Sequence, residues 1–437
     1  MRLHQRKLCQ IIALLVSGAG ISAATAAGPV VQGSGSSLVA PMIGAIGNPA
    51  TEIGLFGTSE GSFTYYSVGS GAGQNAFLNN QPMFLGAGVS GTVHFANSDA
   101  ALTPYQITSY QANLGATNGP LIQIPYIVTP IAVPIVNGPA VTSTTTPQTT
   151  PNQAHSIALN DDDLCGVFSG KLTNWDQVFN PESHSAYALN APIKVIYRAD
   201  GSGTTELLTR HLAAVCTTIN TAAGVSFIDS LTFANTTAFP SGVPSNFVAV
   251  NGDGGVRNAL VSFFNAGAAA VAYLSPSYTN GYLAPSSTVV TKAGALQLPV
   301  ASLVNGTQYY APTYANASAA IASVASAQAP GTKRAASNPA NWVPNVGKPW
   351  LGYPISGTSQ IILSQCYQDP AVKIAVHDFL NTHYTNASFA SIVRGNGFDT
   401  VPPNFQSAIA SNFLSNASGF NLDIGNASVC TGTITGR

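Results

Sequence analysis

The chain reads as an α/β protein, on three observations. Short runs of β-branched and aromatic residues alternate with stretches whose apolar residues recur at helical spacing, and Gly/Ser-rich turns separate the two. Strands are expected over 63–68, 121–136, 193–197, 247–250 and 270–274, and helices over 206–215, 256–265, 371–382 and 405–414. Strands interleaved with helices favour a layered α/β architecture over an all-β sandwich.

Residues 1–27 carry Arg2, Arg6 and Lys7, then an apolar run from Ile11 to Val16, then small residues up to Ala27. That is the layout of a secretory signal cut after Ala26 or Ala27. Cys9 stands before the apolar run, whereas a lipoprotein places its cysteine after it, so a soluble exported protein, periplasmic or secreted and without a lipid anchor, is expected. No later stretch offers about 18 to 20 uninterrupted apolar residues for a membrane span.

Four cysteines remain after the signal, Cys165, Cys216, Cys366 and Cys430, and an even number in an exported chain predicts two disulfides. Pairing Cys165 with Cys216 and Cys366 with Cys430 is the most local of the three possibilities and the favoured one. Without the signal, 12 basic residues face 16 acidic ones, a formal charge of −4. A nucleic-acid surface needs a basic patch, and none is visible.

Only 7% of the chain is charged, against roughly 25% in ordinary globular proteins, so each charge needs a reason. Residues 139–153, rich in Thr and Pro, are expected to form an exposed, weakly ordered loop, and 75–95 and 285–345 to be insertions on a core fold. Asp161, Asp162 and Asp163 precede a helical pattern and read as a helix-capping acidic turn rather than a metal site.

Three Gly/Ser-rich turns open helix-like segments: "QGSGSSLVAP" from Gln32, "YSVGSGAGQNAFL" from Tyr66 and "RADGSGTTELL" from Arg198. Helix N-termini expose N–H groups with partial positive charge, and glycine lets an anion approach the backbone. Ser37, Ser70, Ser202 and Thr204 add hydroxyl donors, and the Arg198 fork matches a tetrahedral oxyanion. One such turn is an ordinary helix cap; three suggest a shared anion.

With "FANSDAALT", "VFSGKLTNWDQV", "GDGGVRNAL", "AAVAYLSPSY" and "YPISGTSQIIL", these stretches resemble, in order, the periplasmic phosphate-binding proteins of ABC phosphate transporters and the related DING proteins. The resemblance implies a two-lobed type II periplasmic-binding-protein fold with a hinge and the ligand in the cleft. One lobe would take 28–132 with 275–437, the other 133–274. It also implies phosphate contacts from Ser37, the Leu38 N–H, Ser70, Asp99, Arg198, Ser202, Gly203 and Thr204, with Asp200 bracing Arg198. Leu38 stands where the family has an aromatic residue, Ala199 replaces a common Ser, and the span from Ser70 to Asp99 is longer than usual.

A carboxylate at Asp99 has a physical use in an anion site. It accepts a hydrogen bond from a protonated phosphate oxygen, whereas sulfate has no proton to give. The alternative is that Ser98 and Asp99 cap a helix starting at Ala100. The expected function is capture of inorganic phosphate by a monomer that delivers it to ABC permease subunits, with no cofactor, metal, catalytic residue or nucleic-acid partner. The other readings are a secreted surface or matrix protein that retains the fold, and a phosphatase; the histidines show no His-Glu-x-x-His spacing and no serine sits in a Gly-x-Ser-x-Gly elbow.

Overall fold

The computed structural model describes residues 28–324 and 327–437; the expected signal segment lies outside them. Two sheets organise the chain. The larger has six strands in the order Asp399–Thr400, Leu121–Pro130, Ser356–Ser364, Phe95–Ser98, Val30–Gly35, Ser62–Ser67. Its last three run parallel, and Ser356–Ser364 is antiparallel to both its neighbours. The smaller orders Phe247–Val250, Lys194–Arg198, Ala270–Ala272 and Ile135–Val136, the first three mutually parallel.

The single strand expected over 121–136 is divided between these sheets. Leu121–Pro130 belongs to the larger and Ile135–Val136 to the smaller. Every residue from 121 to 136 is buried, so the apolar run carries no periodicity that would reveal the change of sheet. At the crossing the Ile131 N–H donates to the Ile355 carbonyl at 2.8 Å, and Ala132 and Leu274 exchange N–H···O bonds of 2.9 Å. Two neighbouring chain segments therefore pass between the sheets side by side.

Expected helices appear with extended starts. The 206–215 helix runs Gly203–Val215, that at 256–265 runs Gly252–Asn265, and those near 371 and 405 are Pro370–Thr385 and Pro403–Asn412. The acidic turn caps a helix as expected: in Asp161–Ser169 the Asn160 side chain accepts from the Asp163 N–H at 2.9 Å and Asp163 accepts from the Asn160 N–H at 3.0 Å.

One loop expectation needs correction, and one expected insertion has structure of its own. Within 139–153, Thr146, Thr149 and Thr150 are buried, and the Thr146 and Thr149 hydroxyls donate to the carbonyls of Ser156 and Val300 at 2.7 and 2.5 Å. Hydroxyls, not apolar bulk, tie this loop down, which composition does not register. The span 285–345 holds the strands Ser302–Asn305 and Gln308–Tyr310 and the helix Tyr314–Ala322, and Ser302–Asn305 pairs with Ala158–Leu159.

Disulfides join Cys165 to Cys216 and Cys366 to Cys430, each with Cα atoms 5.5 Å apart, the favoured pairing. The first staples the Asp161–Ser169 helix to the end of Gly203–Val215. Replacing Cys165 and Cys216 together by Ala should cost about 2–4 kcal/mol of unfolding free energy, read by urea denaturation. An unchanged midpoint would show that this link does not constrain the unfolded chain.

Candidate functional site

Every residue proposed for the site lies at or just beyond the carboxyl end of a parallel strand. In the larger sheet Ser36, Ser37 and Leu38 follow Val30–Gly35, Ser70 follows Ser62–Ser67 and Asp99 follows Phe95–Ser98. In the smaller, Arg198 closes its strand and Asp200 to Thr204 follow, Asp253 follows Phe247–Val250, and Ser275 follows Ala270–Ala272. Open α/β sheets gather helix N-termini and free N–H groups at these ends.

The two sets of turns touch. The Gly71 N–H donates to the Gly201 carbonyl at 2.9 Å, and the Ala101 N–H to Glu206 Oε1 at 3.3 Å. Two glycines permit the approach. A Cβ on Gly203 would lie 2.6 Å from Asp99 Cβ, and one on Gly69, whose φ is +88°, would lie 2.6 Å from Asp200 Oδ2.

Arg198 is 1% exposed and held on two sides. Its Nε and Nη2 donate to Asp200 Oδ1 and Oδ2 at 2.7 and 2.5 Å, and its Nη1 donates to Asp253 Oδ2 at 2.6 Å. The Arg198 N–H donates to the Tyr273 hydroxyl at 2.9 Å. Burial opposes the charge of Asp200, but the hydrogen bond and charge of Arg198 prevail and hold its pKa below the ordinary carboxylate value. Burial likewise opposes the charge of Arg198, and the carboxylates of Asp253 and Asp200 more than restore it.

Asp99 has different surroundings. Burial pushes its carboxyl up from 3.8 to about 6; the hydroxyls of Ser36 and Ser359 pull it back, the charge of Asp253 adds to the rise and that of Arg198 opposes it. Ser36 donates to Asp99 Oδ2 at 2.6 Å, and the Asp99 N–H donates to Ser70 Oγ at 3.3 Å. Asp99 Oδ1 and Thr204 Oγ1 are both buried without a hydrogen-bond partner. Asp99 caps no helix: the next one, Pro104–Ala112, starts later and is capped by Thr103.

The remaining expected residues are placed as follows. Ser202 is the N-cap of Gly203–Val215, its oxygen accepting from the Thr205 N–H at 3.2 Å. The Leu38 N–H donates to Ser36 Oγ at 3.1 Å. Ser37 donates its one proton to Asp253 Oδ2 at 2.6 Å and accepts from the Asp253 N–H at 3.1 Å.

Sequence reasoning assigned nothing to Asp253, Ser36 or Tyr273. For Asp253 a signal was present, because "VAVNGDGGVRNAL" repeats the strand, glycine turn and helix of the other three turns. His211 and His383 are buried against Asp161 and Glu52. Among the described residues no group of three or more His, Cys, Asp or Glu side chains is placed to hold a metal, and no helix is long and apolar enough to cross a membrane.

The PBP superfamily domain matches residues 22–325. Alkaline phosphatase L of Pseudomonas aeruginosa is 35% identical over 372 residues, covering 84% of this chain and 86% of that protein. A phosphate-binding protein from an unknown prokaryotic organism is 34% identical, covering 84% of this chain and 92% of its own. Among solved structures, a high affinity periplasmic phosphate-binding protein bound with phosphate superposes with a TM-score of 0.71 at 31% identity, covering 93% of this chain and 99% of that one. A DING protein superposes with a TM-score of 0.72 at 30% identity, with the same coverage.

The raised carboxyl of Asp99 has a pH signature. The folded chain holds that proton more tightly than the unfolded chain, so the cost of ionising it is absent below about pH 4 and complete above about pH 6. In phosphate-free buffer, Asp99→Asn should gain stability over the parent as pH rises from 4 to 7, by an amount on the order of 3 kcal/mol. Urea denaturation of both at the two pH values measures it, and a constant difference would contradict the buried ionisation.

Proposed function

Because the chain belongs to the PBP superfamily, among the phosphate-binding and DING-like proteins, we propose that it captures inorganic phosphate between two lobes and delivers it to the permease subunits of an ABC importer. The single observation that carries this reading is the buried, unpartnered Asp99 Oδ1 beside a gathering of donors. A tetrahedral anion that brings its own proton satisfies that oxygen; a fully ionised one meets repulsion. Thr204 Oγ1, also without a partner, is a second contact.

In this reading Ser70, Arg198, Ser202, Gly203 and Thr204 donate to phosphate oxygens, the Leu38 N–H exchanges its Ser36 Oγ acceptor for one, and Asp200 braces Arg198. Three guanidinium N–H groups are spent on Asp200 and Asp253, which leaves one on each terminal nitrogen for the ligand. The six-stranded and four-stranded sheets form the cores of the two lobes, 28–132 with 275–437 and 133–274. The crossing at Ile131, Ala132 and Leu274 is the hinge, and contacts from both sides make ligand binding favour the closed form. The protein acts as an exported monomer and catalyses no turnover.

The name of the Pseudomonas relative favours a phosphatase as the second reading. The two are separated by calorimetry with phosphate and sulfate alongside an assay of p-nitrophenyl phosphate hydrolysis. Binding of one phosphate per chain without hydrolysis is expected; no heat with phosphate would overturn the proposal, and hydrolysis lost in Asp99→Asn would install the phosphatase. Arg198→Ala should weaken phosphate binding at least tenfold, about 1.4 kcal/mol, with Arg198→Lys recovering part. Asp99→Asn should admit sulfate, read by competition against labelled phosphate at pH 7. Continued rejection of sulfate by the folded variant would assign the discrimination to another group.

A further inference from the structure

We infer that Asp253 is the positioning residue of the site: it ties Ser37 on one side of the cleft to Arg198 on the other, and thereby sets the spacing at which the two sides meet a ligand. The inference rests on the phosphate reading for what the spacing serves, but the tie itself is visible in the side chains. Asp253 is 0% exposed, and both its oxygens are used. Oδ2 accepts from the Ser37 hydroxyl and from Arg198 Nη1, each at 2.6 Å, and Oδ1 accepts from the Ser275 N–H at 3.1 Å.

Those partners come from three separate places: the turn after the first strand of the larger sheet, the end of a strand of the smaller sheet, and the chain just beyond the crossing at Leu274. The tie is reciprocal, since the Asp253 N–H donates back to Ser37 Oγ. Ser275 and Ser277 extend it, their hydroxyls donating to the Leu38 carbonyl at 3.3 and 3.4 Å. Asp253 also lies in the first turn of Gly252–Asn265, where the helix N-terminus favours a negative charge.

Proton accounting assigns Ser37 its part. A serine hydroxyl has one proton, and that of Ser37 is directed at Asp253. Ser37 therefore serves the site through Asp253 and not as a direct donor to the anion. Asp253 in turn keeps Arg198 from swinging about its Asp200 contact.

The test compares Asp253→Asn, Ser37→Ala, their combination and Ser37→Thr. Small-angle X-ray scattering of the phosphate-free proteins reads the spread of the two sides, and calorimetry with inorganic phosphate reads affinity. Asp253→Asn and Ser37→Ala should each raise the radius of gyration and each weaken phosphate binding about tenfold. The double variant should be no worse than the worse single one, and Ser37→Thr, which keeps the hydroxyl, should restore the parent behaviour. Additive losses, or weakened binding with unchanged compactness, would overturn the tie and return Ser37 to direct contact with the anion. Should Asp253→Asn fail to fold, the Ser37→Ala and Ser37→Thr pair still decides by the same criteria. The scattering arm contains no ligand, so it stands even if the parent binds no phosphate, an outcome that would overturn only the functional reading.

Discussion

A buried guanidinium with a carboxylate on each side is the constraint on which the rest of the site depends. An unpaired Arg198 charge would be too costly to bury, and Asp200 and Asp253 remove that cost from two directions. Asp200 is local, two residues along the same turn, and grips the fork through two bonds. Asp253 comes from the next strand and helix of the sheet and carries the contact on to Ser37. Through this pair the position of one side chain becomes coupled to the approach of two sheets.

The coupling changes how an anion is held. Arg198 is already neutralised by its partners, so in the proposed phosphate site the pull on the ligand would come mainly from oriented dipoles: the N-termini of Ser70–Leu78, Gly203–Val215 and Gly252–Asn265, together with hydroxyl donors. Dipoles fixed by helices reorganise little when a ligand arrives. In the proposed site the buried Asp99 carboxylate, as an acceptor, would distinguish anions by whether they bring a proton rather than by their charge alone.

The low charge content of the chain finds its explanation in the same economy. Polar work in the interior is done by hydroxyls and amides with short reach: Thr146 and Thr149 fasten a loop, Ser36 bonds Asp99, and Tyr273 meets the backbone of Arg198. Several buried ionisable groups are tied into networks, as where the Glu52 carboxyl group meets His383 Nδ1 and the Tyr126 hydroxyl, while buried Arg257 is held by backbone carbonyls alone. Such groups need close partners and tolerate little displacement, which suits a molecule whose two halves must meet in one arrangement.

By itself the sequence determined what depends on a few consecutive residues. Glycine and serine ahead of an apolar helical pattern are enough to make a turn with free N–H groups, and so three of the turns and the capping of Asp161–Ser169 were legible, while the bracing of Arg198 by Asp200 was implied by the family resemblance. Only the tertiary structure decided which groups meet. The strand over 121–136 looks continuous because both its faces are buried wherever it runs, and nothing local says that it leaves one sheet for another. The direction of the Ser37 proton, the unpartnered oxygen of Asp99 and the place of Asp253 arise from contacts across as many as 216 residues. Conformational preference is set within a few residues of each position, whereas a hydrogen-bond partner is set by where the folded chain crosses itself, and that information is held by the packing of the whole.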